Sequence, residues 1–369
     1  MSLDIIEIIQ QLNKWAPLSL QESYDNAGVQ VGNTNQNCSG ALICLDITEE
    51  VINEAIEKNC NLIISHHPLI FNGLKNITGE SYVERCIITA IKNNIVLYST
   101  HTNLDSVRHG VNYKIAQKIG LTDLQILSPR PNSLLKLFTY VPTKDKEKVL
   151  KALFDAGAGN IGEYAECSFQ FTGEGTFKPS ISSNPTIGEA GGERTAVEEY
   201  KIEVIVPFYA QQEVVHALKK AHPYEEVAYE LIPIINEQNE YGFGMIGQLE
   251  NPHIFDFFLE KIQETFSIPS IKHTSSSKNK MIKTVAICGG SGAFLISAAK
   301  AAKADIYLTG DLKYHDFFLA ENDLILADIG HFESEQFTIE LIYNFLQKKF
   351  PKFALYATSI NTNPVKYFI

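Results

Sequence analysis

Apolar residues recur along this chain in two rhythms. Between Asp4 and Leu12, the residues Ile5, Ile9 and Leu12 share one helical face, with Ser2 placed to cap the helix and Pro17 to stop it. The pattern then changes to short, nearly continuous apolar runs, Ala41–Leu45, Leu62–Ile64 and Ile95–Tyr98. These alternate with helical patterns at Glu49–Lys58, Tyr82–Lys92 and Asn112–Ile119. The C-terminal part has the same texture, with strands at Thr284–Cys288, Ile306–Leu308, Leu324–Ala327 and Ala354–Ala357. Its helices fall at Ala293–Lys303, His315–Ala320 and Glu335–Lys348. Strands that lack polar alternation are buried on both faces, so the pattern predicts an α/β fold built on an open, parallel sheet.

The middle of the chain reads differently. From Pro129 to about Tyr241 the alternation relaxes, and Phe171 to Gly192 is rich in Gly, Ser and Pro, the mark of a long loop or hairpin. Around it lie strands at Phe138–Pro142, Tyr200–Pro207 and Ala228–Ile232 and helices at Lys146–Ala156 and Gln211–Ala221. That order predicts a ferredoxin-like α+β domain over residues 130–240, inserted between residues 1–129 and 241–369, which together form the α/β domain. The outer parts repeat each other weakly. A strand, a helix and a second strand lead to Ser65-His66-His67-Pro68 in one and to Gly310-Asp311-Leu312-Lys313-Tyr314-His315-Asp316 in the other. The next strand ends in His101-x-x-x-Asp105 in one and His331-x-x-x-Glu335 in the other. In open α/β sheets, sites form at the carboxyl ends of strands.

Composition narrows the choices. With 369 residues, 45% of them hydrophobic, the chain has ample material for packed cores, and disorder is excluded. No run is long and apolar enough for a membrane helix, and Met1-Ser2-Leu3-Asp4 does not open a secretory signal, so a cytoplasmic protein is expected. The net charge of −12, without a basic cluster, argues against nucleic acid as the partner. Six cysteines without a Cys-x-x-Cys pair read as buried reduced thiols.

Five of the ten histidines, His66, His67, His101, His315 and His331, fall at the equivalent strand ends. Imidazole nitrogens with carboxylate oxygens suit zinc, iron or manganese, and the lack of paired cysteines argues against a thiolate site. Adjacent His66 and His67, just past a strand and with Pro68 fixing the turn, are placed to converge on two neighbouring ions. His331 and Glu335, at i and i+4, share a face if the helix starts by Gly330. Weaker features keep two readings. Gly289-Gly290-Ser291-Gly292 is a tight turn or a phosphate cradle. Asp46 is an acceptor behind a ligand or a helix-start acid, and Tyr314 and His315 handle a substrate or begin a helix. His222-Pro223-Tyr224-Glu225-Glu226 reads as a loop. There is no Gly-x-Ser-x-Gly element for a serine hydrolase.

Taken together, Tyr24-Asp25-Asn26-Ala27-Gly28-Val29-Gln30-Val31-Gly32, Ser65-His66-His67-Pro68, Thr100-His101-Thr102-Asn103-Leu104-Asp105, Gly310-Asp311 with Tyr314-His315-Asp316, and Gly330-His331-Phe332-Glu333-Ser334-Glu335 resemble the NIF-three family, often labelled GTP cyclohydrolase 1 type 2 homologues. Tyr24 stands where that family usually has Trp. The resemblance implies two divalent metal ions held by His66, His67, Asp105, His331 and Glu335, with Glu335 as the bridge and His101 as a neighbour. It implies a CutA-like insert, as in the longer bacterial members, and a ring-shaped homohexamer. A metal-dependent hydrolase acting on a nucleotide or related small molecule is then expected, with His101 or His315 as proton shuttle. The GTP cyclohydrolase label implies water attack at C8 of guanine with release of formate. The rival reading is a non-catalytic metal-binding regulatory or adaptor protein.

Overall fold

The computed structural model describes residues 3–236, 239–274 and 280–368. Ser2, expected to cap the first helix, lies outside them. Helix Ile5–Trp15 is capped by Asp4, whose backbone N–H donates to Glu7 Oε2 at 2.8 Å. The chain divides into two compact units, residues 1–129 with 239–369, and residues 130–238.

The first unit contains two sheets where a single open sheet was expected. One runs Gly28–Val31, Val96–Ser99, Leu62–Ser65, Ala41–Cys44, Leu355–Ala357 in spatial order, parallel except at Gly28–Val31. Its three central strands are buried at every position, as the continuous apolar runs require. The other runs Lys272–His273, Ile325–Asp328, Ile306–Gly310, Met281–Ser291, Gly242–Ile254, Leu121–Pro129. Its centre is parallel and its flanks antiparallel. The pattern missed Gly28–Val31, Leu121–Pro129 and Gly242–Ile254, antiparallel strands of mixed burial that carry no continuous apolar run. The ends of the chain also exchange strands. Leu355–Ala357 completes the sheet built by the N-terminal part, and Leu121–Pro129 joins the sheet built by the C-terminal part.

The second unit runs Leu134–Pro142, helix Lys146–Asp155, Ser168–Phe177, Thr195–Pro207, helix Gln211–Ala221, Tyr229–Ile234. Its strands lie side by side in the order Ser168–Phe177, Thr195–Pro207, Leu134–Pro142, Tyr229–Ile234 (second, third, first, fourth along the chain), and all neighbours are antiparallel. This is ferredoxin-like connectivity. The helices pack on one sheet face through Val149, Leu153, Val214 and Leu218 against Leu137, Ile202 and Val204. Part of the Gly/Ser/Pro-rich stretch, expected as loop or hairpin, belongs to strand Ser168–Phe177. Among the described residues, no helix is long and apolar enough to cross a membrane.

A buried carboxylate fixes the chain beyond Leu355–Ala357. Glu54 accepts from Lys58 Nζ (2.7 Å), Ser359 N (2.9 Å), Ser359 Oγ (2.7 Å) and the Thr358 hydroxyl. Burial alone would raise its pKa, but these donors reverse the sign and bring it down to about 2. Because the folded value lies below the ordinary 4.5, the stabilisation is present above pH 4.5 and is lost as pH falls through about 2. At ~1.4 kcal/mol per pH unit it amounts to about 3 kcal/mol. Glu54→Gln is therefore expected to lose ~2–3 kcal/mol at pH 7 and progressively less toward pH 2. Urea unfolding at both pH values measures it, and an equal loss at both would sink the assignment.

Candidate metal centre

Strand Leu62–Ser65 delivers His66 and His67, Val96–Ser99 leads to His101 and Asp105, and Ile325–Asp328 leads through Gly330 to His331 and Glu335. His331–Glu335 is a short helix, so the i and i+4 side chains share a face. All four imidazoles are held by the same nitrogen. His66 Nδ1 lies 2.8 Å from the Thr100 carbonyl oxygen. The Nδ1 atoms of His67, His101 and His331 lie 2.7 Å from carboxylate oxygens of Asp46, Asp25 and Asp311. Each partner is an acceptor, so each Nδ1 carries the proton and Nε2 is left to face the others.

The Nε2 atoms meet two carboxylates in overlapping groups. His67 Nε2 lies 2.9 Å and His331 Nε2 3.2 Å from Glu335 Oε2, with 3.3 Å between the two nitrogens. His66 Nε2 lies 3.6 Å from Asp105 Oδ1 and 3.7 Å from Glu335 Oε1. Glu335 thus presents one oxygen to each group. Ligands bound at 2.0–2.2 Å around a tetrahedral ion stand roughly 3.3–3.5 Å apart, near the spacing of both groups. His66 Nε2 and Asp105 Oδ1 are buried and make no hydrogen bond, a costly state that a cation relieves. The donor set fits divalent metal. His66, His67 and His101 form a third group of donors close enough to hold an ion.

The electrostatics reflect this crowding. Burial raises Asp105, and the Glu335 charge adds to it, to about 8. Burial would lower His67, but Asp46 and Glu335 outweigh it and lift the imidazole to about 10. His331 is lifted to about 9 in the same way by Glu335 and Asp311. Burial opposes the charge on Glu335, yet His66, His331 and His67 hold its pKa well below the carboxylate range.

The turn Gly289-Gly290-Ser291-Gly292 has a structural task. Its N–H groups at Gly289, Gly290 and Gly292 donate to Asn112, Ser334 and Thr309, which leaves none of the three for a phosphate. Gly290 has φ +61°, and a Cβ there would stand 2.5 Å from Glu335 Oε1. The turn makes room for that carboxylate. His222 donates from Nε2 to the Tyr140 carbonyl and accepts at Nδ1 from the Tyr224 N–H, the satisfied histidine of a loop.

His315 is not in the cluster. It is exposed on the 3₁₀ turn Tyr314–Ala320, with its ring against Tyr314 and Phe318. Sequence reasoning weighed Asp46 but gave no role to Asp25 or Asp311. Both sit in the motifs quoted above; Asp311 directly follows the strand-end Gly310, a local signal, whereas Asp25 precedes its strand and has none.

The Duf34/NIF3 (NGG1p interacting factor 3) family profile matches residues 3–364. The chain belongs to the NIF3 family. A relative from Halalkalibacterium halodurans named "GTP cyclohydrolase 1 type 2 homolog" is 38% identical over 365 residues, covering 98% of each chain. A Bacillus subtilis relative of the same name is 36% identical over 98% of each chain. Among solved NIF3 structures, a Bacillus cereus protein related to NIF3 superposes with a TM-score of 0.85 at 36% identity over the whole of both chains.

Proposed function

We propose that this NIF3 protein is a dinuclear metal-dependent hydrolase of a nucleotide or related small molecule. The ions would be held by His67, His331 and Glu335 on one side and His66, Asp105 and Glu335 on the other. The observation that carries this reading is the double use of Glu335, one oxygen toward each group. Two bound ions supply Lewis acidity, polarising an electrophilic centre and making a water nucleophilic near neutral pH.

The chain's own residues supply the rest. Asp25 accepts His101 Nδ1–H and hydrogen bonds from Thr102 and Asn26. Burial would raise its pKa, but the His101 contact and these donors hold it at about 2, so it stays charged and orients the ring. His101 Nε2 is then placed to take or return a proton beside the cluster. A hollow of about 320 Å³ opens there, lined by His67, His101 and His331 with Phe71 and Tyr82 as an apolar wall. The name shared by the relatives makes GTP the substrate to try first, with opening of the imidazole ring at C8 and loss of formate. The hexameric ring and a CutA-like role for the insert belong to the same reading, and light scattering of the full chain checks the ring.

In protein purified without added metal, about two ions per chain are expected, with formate released from GTP. His66→Ala with Glu335→Ala should abolish both, and turnover that survives metal removal would end the hydrolase reading. Asp25→Asn separates catalysis from binding. It should keep the ions but lower kcat about 10²-fold, the range of general acid–base contributions. An unchanged kcat would remove His101 from the mechanism, whereas wild-type protein that holds both ions and turns nothing over would favour the metal-binding regulatory alternative.

A further inference from the structure

The inserted unit contains a cavity of about 670 Å³, within the range of small-molecule sites. It sits on the sheet face away from the helices. Gly173 and Gly175 leave its floor without side chains, and Tyr140, Phe171, Phe177 and Tyr224 contribute aromatic walls. At its base Glu199 is 8% exposed. Its Oε1 accepts from the Tyr224 hydroxyl at 2.7 Å, and its Oε2 lies over Gly175 where a Cβ would stand. Among the described residues Glu199 has no ion-pair partner, and His222 beside it is committed at both nitrogens.

The other charges of the lining do not compensate. Lys201 pairs with Glu203 at 3.4 Å and lies over the rings of Phe138 and Phe171, and Lys178 pairs with Glu193 at 3.4 Å. Both lysines are thus engaged by carboxylates outside the cavity, while Glu174, Glu225 and Glu226 line it together with Glu199. A buried carboxylate among aromatic faces, in an excess of negative charge, selects a cation. The carboxylate supplies the counter-charge and the ring faces an attractive quadrupole. We propose that this cavity binds a small organic ammonium ion with an aromatic or apolar body. The metal-centre reading plays no part in the argument.

The test is calorimetric titration of the full chain, stripped of metal with chelator so that no amine can ligate an ion. Benzylammonium and tryptammonium are the probes, and benzyl alcohol and benzoate the controls. One saturable site per chain for an ammonium probe is expected, with benzyl alcohol at least tenfold weaker and benzoate not bound. Glu199→Gln keeps the acceptor for Tyr224 and should weaken ammonium binding at least tenfold. Phe177→Ala, which removes one wall, should weaken it about threefold or more. Circular dichroism checks the folding of both variants. If Glu199→Gln does not fold, the contrast between ammonium and alcohol in the wild type still decides. Absence of saturable binding by both ammonium probes, equal binding of benzyl alcohol, or unchanged affinity in folded Glu199→Gln would each overturn the proposal.

Discussion

Glu335→Gln is expected to empty the cluster of both metal ions, while Asp105→Asn and His331→Ala each cost one. The asymmetry follows from the geometry. Asp105 serves only the group with His66, and His331 only the group with His67, whereas Glu335 gives Oε1 to one and Oε2 to the other. The amide cannot bridge two cations, because its nitrogen carries protons where one ion needs a lone pair. Elemental analysis should read about two ions per chain in the wild type, about one in each single-group variant and well under one in Glu335→Gln. The Glu335 carboxylate is also 3% exposed and is the counter-charge for His67 and His331. Its loss should cost the metal-free protein ~3–5 kcal/mol, the range for breaking one side of a buried charge pair. A Glu335→Gln protein that keeps one tightly held ion would show that the two groups are not joined through this residue.

The sequence exposed the parts of this arrangement that are local. Leu62–Ser65, Val96–Ser99 and Ile325–Asp328 are buried at every position, and their unbroken apolar runs announce them. Histidines one to three residues past such runs are legible as strand-end groups for the same reason. What holds those histidines is not local. Asp25 stands 76 residues before His101, and Asp46 lies 21 residues before His67. Only the sheet order brings these acids to the rings. The purpose of Gly290 was equally hidden, since nothing near it in sequence hints that Glu335 passes within reach of its absent side chain. His315 shows how a strand-end position alone does not place a side chain. It follows a strand end as the others do, but five residues beyond Gly310 the chain has already turned into an exposed 3₁₀ segment.

Metal uptake by the metal-free protein is expected to release protons, and affinity should rise steeply with pH. His67 at about 10 and His331 at about 9 are charged at pH 7, and Asp105 at about 8 is mostly protonated. All three must lose a proton to ligate, so binding two ions at pH 7 should release about three protons per chain. Each displaced proton adds roughly a factor of ten in affinity per pH unit until pH passes that group's pKa. The group with two imidazoles should therefore gain about 10²-fold per unit between pH 6 and 8, and the group with Asp105 about tenfold. Stability of the metal-free protein moves the other way. The folded pKa of His67 lies above the ordinary 6.5, so its contribution is full below pH 6.5 and is lost as pH rises through about 10. Calorimetric titration with zinc in two buffers of different ionisation enthalpy counts the protons. Asp46→Asn gives the internal control, because removing the carboxylate that raises His67 should reduce the release at pH 7 and flatten the pH dependence of its group. Zinc binding with no proton release, at an affinity constant from pH 6 to 8, would mean that these imidazoles and Asp105 are not the ligands.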